Sequence, residues 1–426
     1  MLVSGLLDDH GNATLDGPMN IPDEMFHSPQ FADLVKRLDA TGRGRSGDVF
    51  GVEVPLRICP LGAHVDHQGG VVTGMAIDRS VMMAASVVDE PVVRIESMDF
   101  PGVVEVGLDH QPTPAGGGWG DYVRAAAAAL MSKGRLKRGL DAVIRGELAG
   151  AGLSSSAAVL IAYLAGLAEV NDLELSRREL AGLVQLAENT FIGVSSGLLD
   201  QSVMIHAESS KLTRIDCRDH SIGQIESPPS MTMPAILVAF TGAARSLADS
   251  GYNLRVAECR TAARLLLQMK GREVPSQPQL RDVEPEIFAV EGHRLSSDLR
   301  RRATHYFTEM ERVTTGAEAW RRGDLVGFGD LVNASGESSM VNYECGTPSL
   351  ATMVELLRSQ DGVYGARFSG GGFGGTCIAL AEREACDEII ASVSRDYSAV
   401  HSELALNAVY EVCGLAGPMR VFEMEV

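Results

Sequence analysis

The chain is short of positive charge. Its 37 lysines and arginines face 56 aspartates and glutamates, which leaves a net charge of −19. A surface that negative repels nucleic acid and anionic membranes, and so argues against either as a partner. Small anionic substrates are not excluded, because local donors outweigh a distant, screened field. Paired cysteines are lacking too. Cys59, Cys217, Cys259, Cys345, Cys377, Cys386 and Cys413 are scattered, odd in number and without a C-x-x-C pair. That pattern speaks against a zinc site or a disulfide framework and for reduced thiols in a cytoplasmic protein. No apolar run approaches the roughly 18 residues a membrane helix needs. Residues 1–23 have no cationic start and carry Asp8, Asp9 and Asp16, so they read as a loose tail without a signal peptide. Internal repeats and low-complexity segments are absent. There is no G-x-x-x-x-G-K-[ST] loop and no strand–G-x-G-x-x-G–helix fingerprint, and the His-Arg-Asp and Asp-Phe-Gly signatures are missing. A Walker ATPase, a Rossmann dehydrogenase and a protein kinase are all disfavoured.

What the chain does have is length and apolar content. Its 426 residues, 45% of them hydrophobic, suit two domains with sizeable cores. Strand and helix patterns alternate. Strands are predicted at Val52–Ile58, Ile236–Phe240, Val363–Phe368 and Thr376–Leu380. Helices are predicted at Trp119–Ser132, Ala157–Val170, Tyr252–Met269 and Ser296–Arg321, with one more from the Ser176–Glu179 capping box to about Phe191. The Ser227-Pro228-Pro229-Ser230 stretch marks a boundary between residues 24–228 and 229–426. The fold class is α+β, two-lobed, with mixed sheets and helices and a site between the lobes. The sequence carries no signal of oligomeric state.

Three clusters carry chemistry. Gly150-Ala151-Gly152-Leu153-Ser154-Ser155-Ser156 stands before an apolar helix. A helix start presents unpaired N–H groups that attract anions, and the glycines let a backbone close on a phosphate. Taken alone, the run also fits a flexible linker. Arg57 to Gly70 packs a cation, two imidazoles and a carboxylate (Arg57, His64, His67, Asp66) between a strand and a double-glycine turn. Such density points to a ligand site, although a lone His or Asp is more often a satisfied core group. Gly370 to Gly375 holds five glycines in six positions after Arg367-Phe368-Ser369, more than a hairpin turn requires. A mobile hairpin tip is the bland alternative.

Together the three clusters resemble the GHMP small-molecule kinases, and within them the galactokinase branch. Ser196-Gly197-Leu198-Leu199-Asp200-Gln201 and Ser250-Gly251-Tyr252-Asn253 match two further stretches of that branch. The resemblance runs collinearly from Asp23 to Val426. It is nearer still to plant-type galacturonokinases, through the segments 57–64, 251–256, 342–346 and 363–370.

The resemblance implies ATP-dependent phosphorylation of a sugar's anomeric hydroxyl. It implies that Asp200 accepts the hydroxyl proton and Arg57 stabilises negative charge, with a structural ion pair as the plain alternative. It implies Mg2+ on Ser156 and Glu188, and phosphates on Gly150, Gly152, Ser154 and Ser155. Trp119 stands where the branch has an aromatic near adenine, and is equally a core residue. His64, Asp66, Gly197 and Tyr252 match sugar-hydroxyl ligands. Two positions depart from the branch. Leu148 replaces a proline before the glycines and removes no ligand. Ala63 replaces the glutamate that grips the C6 hydroxyl. A galacturonate carries a carboxylate at C6, and Ala63 removes a like-charge repulsion there. His67, where galactokinases have Tyr, is then expected to donate to that carboxylate. The expected substrate is D-galacturonate, with D-galactose as the alternative. A non-catalytic sugar sensor is disfavoured by the complete serine loop.

Overall fold

The computed structural model describes residues 29–42, 49–148, 153–243 and 251–423. The 1–23 tail lies outside these residues, as do Gly150 and Gly152. Among the described residues there are two sheets. The first contains β1 (Val49–Ile58), β2 (Val71–Val88), β3 (Val92–Ser97), β4 (Val103–Gly107), β5 (Gly139–Gly146), β6 (Leu212–Asp216) and β7 (Ser221–Ile225). The second contains β8 (Ala235–Phe240), β9 (Val363–Phe368), β10 (Thr376–Ala381) and β11 (Val409–Cys413). The last strand, β12 (Arg420–Glu423), returns to the first sheet and pairs antiparallel with β1.

The first sheet has the order β12-β1-β2-β5-β3-β4, with β6 on the far end of β2 and β7 beside β6. Only β3 and β5 run parallel. Arg57 comes from β1, just past a register shift between Pro55 and Leu56. Proline has no N–H to give the ladder, so a bulge there is expected. The second sheet is antiparallel in the order β11-β8-β10-β9.

The helices fill the space between and around the sheets. On the first sheet lie α1 (Pro29–Ala40), α2 (Gly120–Met131), α3 (Ser155–Val170), α4 (Arg177–Leu186) and α5 (Leu199–His206). In the second half lie α6 (Tyr252–Met269), α7 (Pro285–Glu291), α8 (Ser297–Arg322), α9 (Leu325–Val341), α10 (Pro348–Arg358) and α11 (Cys386–Val400); α9 and α10 pack on its sheet, while α8 reaches β2 and β7 of the first. The helix α3 is buried almost all round, as its uniformly apolar sequence requires. One apolar core joins α2 and α3 to the first sheet, and another joins α6, α8, α10 and α11 to the second. Ala63, Val65, Leu198 and Leu199 belong to this second core, although they precede its sheet in sequence. The turn after β1 is therefore clamped between the two halves. All seven cysteines are buried, and none forms a disulfide. No helix among the described residues is long and apolar enough to cross a membrane.

Helix α4 begins at the capping box, with the Ser176 side chain accepting from the Glu179 amide and Glu179 reaching back. It does not run regularly to Phe191. From Ala187 to Ile192 the chain widens into a π-helical turn that ends on left-handed Gly193. Such a turn inserts an extra residue into the helical ladder and is frequent at functional sites. Glu188 sits inside it.

Candidate active site

A cavity of about 330 Å³ opens where the halves meet, within the usual range for a small-molecule site. The first half contributes Arg57, Ala63, His64 and Asp66 from β1 and its turn, and Ser154, Ser155 and Ser156 from the start of α3. Glu188 joins from the π-helical turn, Gly197 from the following loop and Asp200 from the first turn of α5. The second half contributes Tyr252 at the start of α6 and Arg367, Ser369, Gly370 and Gly371 around the end of β9. Tyr122 also lines it, one helical turn past Trp119.

Arg57, Ser154 and Asp200 form one unit. The buried Arg57 guanidinium donates to Asp200 Oδ1 from Nε at 2.7 Å and lies 2.6 Å from the same oxygen through Nη2. The Ser154 hydroxyl accepts from Arg57 Nη2 and donates to Asp200 Oδ2. Ser154 itself has a left-handed backbone, φ 61°, immediately before α3. Arg57 Nη1 and Ser369 Oγ are buried without a hydrogen-bond partner among the described residues, and both residues face the cavity.

The cavity is acidic. Burial is the main reason that Asp66 is pushed up to about 6, with Asp200 adding repulsion against the help of amide donors from His67 and Leu199. Glu188 is pushed up to about 7, first by burial and then by Asp200 and Asp66, although the Ser196 hydroxyl donates to it at 2.6 Å. A desolvated carboxylate with few donors holds its proton, so this wall of the cavity is short of cations. Among the described residues no group of three or more His, Cys, Asp or Glu side chains is placed to hold a metal ion. Glycine is required at position 197: a Cβ there would meet Asp66 Oδ2 at 2.2 Å.

Two expected site residues lie elsewhere. His67 does not line the cavity. Its Nδ1 accepts from the Gln68 amide and its Nε2 donates to Tyr343 Oη, both at 2.9 Å. Burial, helped by Arg260 and His305, drives its imidazole down to about 3. Both ring nitrogens are already engaged and the ring lies off the cavity, so the structure does not bring His67 to where it was expected to donate to a substrate carboxylate. Trp119 also stands outside. Its Nε1 reaches Pro101 O at 3.4 Å, and its ring packs on the first core. Gly150 and Gly152 lie outside the described residues.

Sequence reading passed over the residues that hold the Ala63 turn. His305 Nε2 donates to Ala63 O at 2.9 Å, while its Nδ1 accepts from the Ser338 hydroxyl. The fully buried Glu309 carboxylate accepts from Gly62 N at 2.7 Å and from the Ser335 hydroxyl, and pairs with Arg312. Burial alone would raise the Glu309 carboxyl, but His305, Arg312 and Arg367 together hold it below its ordinary value. His305, Glu309 and Arg312 stand at i, i+4 and i+7 in a helix predicted from sequence. That face was the one available signal.

Comparison with known proteins places this architecture. Residues 121–208 match the N-terminal domain of GHMP kinases and residues 317–399 match their C-terminal domain. A galacturonokinase of Arabidopsis thaliana is 39% identical over 397 residues, covering 88% of this chain and 93% of that protein. A galactokinase of Roseiflexus sp. (strain RS-1) is 35% identical, covering 85% and 90%. The structure of Lactococcus lactis galactokinase complexed with galactose superposes with a TM-score of 0.83 at 30% identity, over 92% of this chain and 99% of that one. A Methanococcus jannaschii mevalonate kinase shares the fold at a TM-score of 0.61 and 16% identity.

Proposed function

This chain belongs to the GHMP kinases, and from that premise we propose that its substrate is D-galacturonate, phosphorylated by ATP on the anomeric hydroxyl. The enzyme class is a phosphotransferase with an alcohol acceptor, of the galacturonokinase and galactokinase type. The observation that carries the choice of sugar is Ala63. It lines the cavity at the position where resemblance gives galactokinases a C6-binding glutamate, and its methyl group offers no charge to repel a carboxylate.

In this reading Asp200 takes the proton of the C1 hydroxyl while that oxygen attacks the terminal phosphorus of ATP. The bond from phosphorus to the bridging oxygen breaks, and ADP leaves. Arg57 steadies the negative charge on the attacking oxygen and holds the Asp200 carboxylate in place. Both Asp200 oxygens are engaged in the structure, one by Arg57 and one by Ser154. Proton transfer to Oδ2 requires the Ser154 hydroxyl to turn away. A phosphate at the start of α3 would draw it in that direction.

The residues suit a divalent cation. Glu188 is a desolvated carboxylate in an acidic wall, and the Ser156 side chain lies on the same cavity. Magnesium on these two side chains would supply charge neutralisation for the phosphates, completed by phosphate oxygens and water. His64, Asp66, Gly197 and Tyr252 bind the sugar, and Ser154 and Ser155 the phosphates. Residues 24–228 and 229–426 form the two lobes, with β12 returned to the first.

The acidity of the cavity favours a second reading, a galactokinase acting on neutral D-galactose. ADP release with galacturonate, galactose and glucuronate decides between them. A higher kcat/KM for galacturonate supports the proposal, and a preference for galactose overturns it.

A further inference from the structure

Behind the wall formed by Asp66 and Ser196 lies a second cavity of about 510 Å³. These two residues are all it shares with the first, and it contains neither Arg57, Asp200 nor the serine loop. Its lining is mostly polar and includes Asn189 in the π-helical turn, Ser195 beyond it, Arg218 after β6, Arg260 on α6, and Gln277 and Gln279 before α7.

The chamber holds one carboxylate, Asp66, and two guanidinium groups, Arg218 and Arg260. Arg218 is paired with Asp282 at 2.8 Å. Arg260 has no carboxylate partner among the described residues, and its half-buried guanidinium keeps Nε out of water without a hydrogen bond. A partly desolvated cation without a partner is costly, and more conspicuous in a chain of net charge −19. His67, on the chamber wall, does not answer the charge, since both ring nitrogens are already bonded to Gln68 and Tyr343. Beside Asp66, Leu198, Cys217 and His220, the rest of the lining is the amides of Gln185, Asn189, Gln277 and Gln279 and the hydroxyls of Ser195 and Ser196, which donate readily to an oxyanion.

We propose that this chamber binds a small oxyanion, a phosphate or carboxylate group held by Arg260 and the neighbouring amides, and that its occupancy weakens sugar binding. The coupling runs through the shared wall. An anion behind Asp66 adds negative potential to a cavity already lined by Asp66, Glu188 and Asp200. It also bears on Ser196, which holds Glu188. The proposal depends on the kinase assignment and not on which sugar is used.

Inorganic phosphate is the probe, titrated at saturating ATP and constant ionic strength against whichever sugar the enzyme turns over. The apparent KM for sugar is expected to rise about fivefold to a plateau with kcat unchanged, and sugar is expected to weaken phosphate binding by the same factor in calorimetry. Arg260→Gln should abolish the rise while keeping the phosphate-free kcat and KM. Gln277→Glu is an exposed change that places a carboxylate in the chamber, and it should weaken phosphate at least about threefold. A KM indifferent to phosphate overturns the proposal. So does a rise without a plateau, which means competition inside the sugar cavity. An undiminished response in Arg260→Gln, or in Gln277→Glu if the former does not fold, also overturns it.

Discussion

Arg57 reaches the same oxygen of Asp200 through two of its nitrogens, at 2.7 and 2.6 Å, from the edge of a β-bulge in one element to the first turn of a helix 143 residues later. Arg57 is 1% exposed and Asp200 30%, so the pair has a dry side and a side open to the cavity. On the proposed reading, Asp200→Asn keeps the shape and loses the proton acceptor. Turnover should fall by about a thousandfold or more while ATP still binds, measured by single-turnover kinetics and nucleotide titration. Arg57→Lys removes the planar fork and should lower kcat about a hundredfold. Retained turnover in Asp200→Asn would exclude an essential base.

Ala63 is the test of sugar choice. A glutamate there would set a second carboxylate about 4 Å from that of a galacturonate, a repulsion of roughly 1 kcal/mol in water and about 4 at an effective dielectric of 20. Ala63→Glu should therefore raise the KM for galacturonate by about tenfold to about a thousandfold and shift preference toward galactose. Unchanged selectivity sinks this account of C6 discrimination.

Glu188 links stability to function. Its carboxyl and that of Asp66 lie at about 7 and about 6 in the folded protein, above their ordinary values. At these two carboxyls the folded state holds more protons than the unfolded one between about pH 4 and about pH 7, so their own contribution to stability falls as pH rises through that window. Glu188→Gln removes one cost and should raise Tm at pH 8 by about 2–4 °C, read by calorimetry. The same change should abolish the response of turnover to magnesium. In the unmodified enzyme, half-saturating magnesium should increase as pH drops below about 7, because the protonated carboxyl is a poor ligand.

Glu309 should act on the sugar without touching it. Glu309→Ala leaves the Gly62 amide without its buried acceptor and Arg367 without its buried counter-charge, a loss of about 3–5 kcal/mol. Glu309→Gln keeps the size and one acceptor oxygen. It is expected to raise the KM for sugar more than it lowers kcat, with the KM for ATP unchanged. A uniform fall in kcat for every sugar, with KM constant, would deny Glu309 a role in setting the turn.

Much of the frame was legible from local pattern. The strand predicted at Val52–Ile58 extends to Val49–Ile58, and the helix predicted at Tyr252–Met269 has those bounds in the structure. The eighteen-residue β2 escaped because both its faces are buried at most positions, so it shows no alternation, and Asp78, Arg79 and Ser80 interrupt its apolar run. Helix α9 escaped because Gly327, Gly329, Asn333 and Gly336 make it a poor helix former held by packing. Of the candidate site, motif residues were visible because each cluster is contiguous. Tyr122 was passed over for Trp119, since periodicity does not say which of two aromatics a turn apart faces a cavity. His67 was misread because its partner Tyr343 lies 276 residues away, and only the fold brings them together.

The return of β12 to β1 has a consequence for synthesis. Arg420 pairs with Glu53 across 367 residues, and the Phe422 ring covers the bare face of Gly51. As the chain emerges from the ribosome, the strand that carries Arg57 must wait for its outer neighbour until every described element between β1 and β12 has been translated. Until then the nascent chain exposes an unfilled sheet edge, and its completion is among the most non-local steps of folding. A chaperone that shields an edge strand during elongation would protect this protein at β1.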